Sequence, residues 1–426
     1  LLARLVFIQV VEGARHTGEI AQQSIRTIRI PQVRGRIFGR NGVVLADTQP
    51  SYDLVFHVSE MRQPGARRNT EIYIMNRVRQ LARVTGRNMP FSRQLVKRRL
   101  NVYPALPMTV FTQLTPKERS RVAELVPPVP SAEIKPTFAR HYPQQGIATH
   151  VLGFTGRRPP PDNFTNREFS YVMPEIRGRT GLERVYDTVL AGQAGMRLVR
   201  VNTIGYVHNQ IGEEVPPRDG ADLVLTIDVK AQETAERLLR GKEGALVAVD
   251  VHTGGVVAMA SAPTYDLARL STERYAELAK NTDKRPLVNR ALAGGFLPGS
   301  IVKPLIAMAA LEHHIIDPDS TKVNCPGYYK MGRKRIRCWQ RSGHGELDVV
   351  HALEQSCNTV FIQTGLKTGL DNIRPMMLAA GLGSTPRIDL PNADAGLVPS
   401  RPCAHAHWGR PWIAIDTAYL SIGQGA

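Results

Sequence analysis

The chain has 426 residues, 42% hydrophobic and 22% charged, which suits two or three folded domains and excludes an intrinsically disordered polymer. Its net charge is +18, but Lys and Arg read as spread along the chain, with no basic run interleaved with aromatics and no nucleic-acid motif; nucleic acid is set aside in favour of an anionic surface or polyanionic substrate, with a merely solvated basic face as the plain alternative. Four cysteines exclude a disulfide scaffold.

The chain opens with LLARLVFIQVVEGARH, too few apolar residues to span a bilayer, which needs about 20. The stretch reads either as an amphipathic first helix or as the outer end of a transmembrane helix, and residues 1–20 are assigned to such an end and its linker. The Arg-rich segment Arg26–Arg40 is expected either near anionic headgroups or in the sheet that follows. Residues 21–225 read as short strands (IRTIRI, GVVLA, YDLVFHV, MRLVRVN) broken by helices over NTEIYIMNRVRQLARV and TPKERSRVAELV, with RRPPPDNFTN and PPRDG as loops. The character changes at GADLVLTIDVKAQETAERLLR, a strand running into a helix, and GALVAVDVHTGGVVAMAS predicts a hairpin. A second, mixed α/β region over residues 226–426 is therefore expected.

Within that region, GGFLPGSIVKPLIAMAALEHH places Ser300 and Lys303 at the mouth of an apolar helix. Pro304 lacks the N–H of an interior residue and belongs in a first turn, so Ser300 is expected at or next to the N-cap. Lys303 lies about one turn on and can share its face. A desolvated lysine can take a serine's proton, and the helix N-terminus favours an oxyanion. The plain alternative is a capping serine and a solvated lysine. At ALEQSCNTVFIQTG, Ser356 and Asn358 flank Cys357 where another helix is predicted to begin, a pattern that alone reads as a helix cap.

The order S-x-x-K then S-x-N is the signature of penicillin-binding proteins and serine β-lactamases. RGRIFGRNGVVLA (Arg34 to Ala46), ATHVLGFTG (Ala148 to Gly156) and GRTGLERVYDTVLAGQAG (Gly178 to Gly195) resemble boxes of the non-catalytic module of class B penicillin-binding proteins. LTIDVKAQ, GALVAVDVHTGGVVAMAS and RPLVNRALAGGFLPGSIVKP resemble the opening of their transpeptidase domain. CPGYYK and RCWQRSGHGELDVVHALEQSCNTVF resemble the elongation type, the penicillin-binding protein 2 group. Gly39 departs from the family, which usually has Asp there.

The resemblance implies an α+β multidomain chain: a β-rich pedestal (dimerisation-type) module followed by a β-lactamase/transpeptidase-like domain. It implies a peptidoglycan D,D-transpeptidase that cross-links stem peptides during elongation and is acylated by β-lactams. Ser300 would be the nucleophile, Lys303 its general base, and Ser356 with Asn358 the relay and substrate clamp. It further implies a single-pass protein of the inner membrane, its catalytic domain periplasmic, with a RodA-type glycosyltransferase and a MreC-type scaffold as partners. A silent penicillin-binding scaffold or β-lactam sensor is the alternative; a secreted β-lactamase has no place for the upstream module. The tripeptide Lys367–Gly369 spells KTG, but it reads as a helix end, and the family's K-T-G strand is expected beyond the last residue.

Cys325, Cys338, His344 and Cys357 fall in one region with gaps of 13, 6 and 13, which match no zinc finger. Buried apolar cysteines and a Cys325–Cys338 disulfide are the rivals of a closed, structural tetrahedral zinc. Some elongation-type proteins carry zinc near the active site, with Asp where this chain has Cys325 and Cys338. The resemblance thus favours zinc on these four residues, with Cys403 outside the site.

Overall fold

The computed structural model describes residues 25–58, 60–102, 107–125, 128–129, 131–144, 146–158, 170–171, 175–201, 207–210, 214–318 and 320–425. The expected membrane-helix end over residues 1–20 lies outside them. No helix among the described residues is long and apolar enough to cross a membrane. Contacts divide the chain into two compact units, up to Leu287 and from Val288.

Two larger sheets form the frame of the first unit, beside two-stranded pairs. In one, Ile25–Ile30 runs antiparallel to Gly195–Val201, which also pairs with Val207–Gln210. The Arg26–Arg40 segment thus begins inside the pedestal sheet. In the other, the long strand Val44–Phe56 pairs antiparallel with Ile37–Phe38, Met108–Phe111 and Ala132–His141. The helix Arg67–Thr85 stops at Gly86, which takes the left-handed conformation (φ 73°) that glycine adopts without strain. It buries Ile74, Val78 and Leu81 against Leu54, Phe56 and Phe111, each worth about 1.5–3 kcal/mol relative to exposure. The helix Pro116–Ala123 starts at a capping box in which Thr115 and Glu118 satisfy each other's backbone N–H groups.

Segments far apart in sequence meet in a buried ion network. Glu183 is fully buried, and its two carboxylate oxygens accept from Arg34 Nε and Arg140 Nε, both at 2.6 Å. Arg34 also reaches Asp187 Oδ1 (2.7 Å) and the Glu183 carbonyl (2.8 Å), while Arg140 reaches the Gly35 carbonyl (2.7 Å). The two arginine charges are offset by the Glu183 and Asp187 carboxylates together, the pairing that burying charge requires.

The expected hairpin is present as Gly244–Val249 paired with Val256–Ala262. The helix Val229–Leu238 packs on it through Gln232, whose amide bridges the N–H and carbonyl of Met259. Glu236 accepts from Ala148 N, and Thr149 Oγ1 donates to Tyr265 O. These bonds tie the hairpin to the Gly146–His150 segment, so by contacts it groups with the first unit.

The second unit wraps helices around a core that includes Ile306, Phe361, Ile362, Ile373 and Ala418. The helix Asn358–Thr368 ends at Gly369 (φ 78°), and Thr368 Oγ1 donates back to Thr364 O. Lys367 is exposed. The KTG tripeptide is a helix terminus, as its sequence context predicts.

Candidate active site and thiol–imidazole cluster

Ser300 sits in a 3₁₀ turn, Gly299–Val302, that runs directly into the helix Lys303–Glu312. The cap residue is Val302, so Ser300 lies ahead of the cap rather than at it. Gly299 opens the turn with φ 65° and donates its N–H to Gly423 O (3.0 Å). A Cβ at Gly423 would stand 2.1 Å from Gly299 O, so the two backbones meet only because that position is glycine. Pro304 occupies the first helical turn, where no N–H is needed. The result is an exposed Ser300 beside a Lys303 that is 1% exposed.

Lys303 Nζ donates to Ser356 O (2.7 Å), Ser356 Oγ (3.1 Å) and Asn358 Oδ1 (2.8 Å). Its three donors are therefore spent on the second motif, whereas the sequence places Lys303 in partnership with Ser300. Burial pushes the lysine below its ordinary pKa, against a smaller opposing pull from the nearby Cys338 and Cys357 side chains. A neutral amine would keep two N–H bonds and free one lone pair, which is the form a general base requires. Ser356 Oγ accepts from the lysine and keeps its own O–H to donate.

The second motif is shaped by a helix ending. The helix Val349–Glu354 closes with Ser356 N–H on Leu353 O (3.1 Å) and Cys357 N–H on Ala352 O (2.8 Å). That bond pair is a Schellman closure, which normally carries glycine at its left-handed position. Here Ser356 takes it, with φ 52°. A side chain held in that conformation costs of order 1–3 kcal/mol and is found where the side chain has a task. Cys357 then caps the helix Asn358–Thr368, so Asn358 stands on its first turn, its Nδ2 donating to Arg337 O (3.3 Å).

Cys325, Cys338, His344 and Cys357 converge, with their ligand atoms within 4.8 Å of one another. Strand Val323–Cys325 pairs with Gly345–Leu347, and the Tyr328–Met331/Lys334–Arg337 hairpin returns the chain so that Cys338 N–H reaches Gly327 O (2.9 Å). Cys325 Sγ lies 3.5 Å from His344 Nδ1, Cys338 Sγ lies 3.6 Å from it, and Cys338 and Cys357 sulfurs are 4.0 Å apart. All four cysteines are free thiols, so the Cys325–Cys338 bridge is absent. Cys325 and Cys338 belong to the hydrophobic core. Tetrahedral zinc with bonds of about 2.3 Å to sulfur and 2.0 Å to nitrogen spaces its ligands about 3.5–3.8 Å apart, close to what the residues show. Burial pushes Cys325 up, but bonds from Thr359, His344 and Gly327 outweigh it and hold the thiol down at about 6; burial and the neighbouring sulfurs push Cys357 up. Three sulfurs and an imidazole nitrogen at these spacings can give up their thiol protons together only with a cation among them, so the donor set fits zinc.

Family models match the chain in two parts: the penicillin-binding protein dimerisation domain over residues 29–225 and the penicillin binding protein transpeptidase domain over residues 244–426. The peptidoglycan D,D-transpeptidase MrdA of Escherichia coli K12 is 33% identical across this whole chain and 67% of its own length. That of Acinetobacter baumannii is 27% identical across the whole chain and 62% of its length. The chain thus spans about two thirds of the length of these relatives. Among solved structures, penicillin-binding protein 2 of Helicobacter pylori in complex with MreC superposes with a TM-score of 0.76 at 24% identity, covering 94% of this chain and 74% of that one. Penicillin-binding protein 2 of Pseudomonas aeruginosa, in complex with WCK 5153, gives 0.58 at 28% identity over 93% and 66%. With the pedestal and transpeptidase modules in one order and both serine motifs joined through Lys303, the chain belongs to the elongation-type class B penicillin-binding proteins.

Proposed function

We propose that this chain is a peptidoglycan D,D-transpeptidase of cell-wall elongation, working through a serine acyl-enzyme. The observation that carries the reading is a buried lysine bonded to both residues of a second motif, one turn from an exposed serine. Ser300 Oγ attacks the carbonyl of the penultimate D-Ala, and neutral Lys303 accepts the hydroxyl proton. The tetrahedral oxyanion collapses, the C–N bond breaks, and the terminal D-Ala leaves with a proton delivered through the Ser356 hydroxyl. An amine from a neighbouring stem peptide then takes the acyl group and restores Ser300. Asn358, on the first turn of its helix, holds the substrate amide. A β-lactam ring opens on the same serine by the same first step. Labelling with a fluorescent penicillin tests this reading.

Cys325, Cys338, His344 and Cys357 would hold a zinc ion that is structural, closed to water and outside the chemistry. Its effect reaches the active site through Cys357, which sits between Ser356 and Asn358. Protein purified without added metal should contain about one zinc per chain by elemental analysis, and Cys338→Ser should lose it together with thermal stability. Metal-free wild-type protein, or a Cys325–Cys338 disulfide in the native protein, would contradict this assignment.

The protein's setting is part of the same proposal. The relatives' names and the solved complex with MreC support an elongation role with a MreC-type scaffold as partner. A RodA-type glycosyltransferase is the expected source of the glycan strands to be cross-linked. The same proposal places the chain on a single-pass anchor in the inner membrane with both units in the periplasm.

A further inference from the structure

The +18 charge is not evenly spread, contrary to the first reading of the sequence. Residues 60–125 carry fourteen Lys and Arg against four Glu and no Asp, a net of +10. Two of those glutamates are consumed internally, Glu71 by Arg93 and Glu118 by Arg87. The helices Arg93–Val102 and Pro116–Ala123 both pack against the helix Arg67–Thr85. Along that central helix Arg68, Ile72, Asn76, Arg79 and Arg83 are exposed and follow one face of the helical repeat. Lys97, Lys117 and Arg121 are exposed on its neighbours. Arg68, Arg83, Lys97, Lys117 and Arg121 meet no carboxylate among the described residues, and Arg79 meets only Asn76. Elsewhere in the same unit arginines are paired off, as Arg34, Arg36 and Arg140 are.

A surface of unpaired like charges opposes folding through self-repulsion, and a polyanion relieves it. The apolar faces of the Arg67–Thr85 and Arg93–Val102 helices point into the core, with Ile72 and Leu95 the isolated exceptions, so insertion into a lipid layer has little to use. We propose that this three-helix face is a second binding surface for peptidoglycan strands, which it holds through the carboxylates of their stem peptides. The inference rests on the peptidoglycan reading of the active site and adds a contact that does not involve Ser300. Many weak ion pairs along a repeating polymer would hold the enzyme on the wall between cross-linking events.

The test is co-sedimentation of the full protein with purified sacculi after Ser300 has been blocked with benzylpenicillin. Retention should fall steeply towards about 0.5 M salt, where charges are screened beyond roughly 4 Å. The R68E/R83E/R121E variant should bind at least about tenfold more weakly while its melting temperature does not fall and its penicillin acylation stays unchanged. R68Q/R83Q/R121Q, which removes charge without reversing it, should show an intermediate loss and serves if the first variant misfolds. Absence of sacculus binding by the blocked protein, equal binding by the variants, or binding that survives high salt would overturn the proposal. So would retention on phosphatidylglycerol vesicles with none on sacculi. Failure of penicillin to acylate the wild-type protein would instead overturn the enzyme reading.

Discussion

Replacing Lys303 with alanine is expected to slow acylation by a penicillin about 10³-fold, the middle of the range that a positioned base contributes. The change removes the group that accepts the Ser300 proton and also strips the donor from Ser356 and Asn358. Lys303→Met keeps much of the side chain's volume and should fail as severely, which separates chemistry from packing. Burial lowers the lysine's pKa, so the neutral, active form is reached at lower pH than for a free lysine. The acylation rate should therefore rise with pH and level off below the ordinary lysine range near 10.4. Stopped-flow acylation across pH measures both effects. A Lys303→Met protein that is folded and acylates within tenfold of wild type would remove Lys303 from the role of base.

Glu183→Ala is expected to destabilise the pedestal by about 3–5 kcal/mol, the cost of leaving buried charge without its partner. Arg34 and Arg140 both direct their Nε groups at this one carboxylate, and both are almost fully buried. Thermal melting should shift down by about 10 °C for the transition that contains this unit. Glu183→Gln keeps two polar atoms in place and should cost less than alanine. Acylation at Ser300 by penicillin should continue at temperatures where the pedestal remains folded. A shift under 2 °C for the alanine variant would mean that the arginines find other partners or water.

The parts of the site that could be read from the sequence were those set by local physics. Pro304 confined the helix start, and the Pro-Gly before Ser300 announced the turn. The helix after Ser300 is apolar, and the structure buries Val302, Lys303, Ile306 and Ala310 on it while leaving Ile301 and Met308 exposed. The partner of Lys303 could not be read this way, because its bonds to Ser356 and Asn358 join residues more than 50 positions apart. Ser356 in a left-handed position was also hidden. The usual signal of a Schellman closure is glycine, and its absence from EQSCN concealed the motif. Helices such as Arg93–Val102 and Arg401–Trp408 were not legible because their apolar positions are few among basic and polar ones.

The thiol cluster shows the same limit. Gaps of 13, 6 and 13 follow no metal-binding pattern, and only strand pairing brings Cys325, Cys338 and His344 together. In the pedestal, the box at Arg34 and the box at Glu183 were recognisable separately. Their ion pair spans 149 positions and emerged only with the fold.

The central claim is that Ser300 is the nucleophile, and one measurement addresses it most directly. The protein is incubated with benzylpenicillin, its intact mass is recorded, and the adduct is mapped by peptide sequencing. The expected result is a single penicilloyl adduct on the peptide that carries Ser300, absent from a Ser300→Ala variant whose melting curve matches wild type. An adduct on any other residue, or one that persists in the alanine variant, would contradict the account.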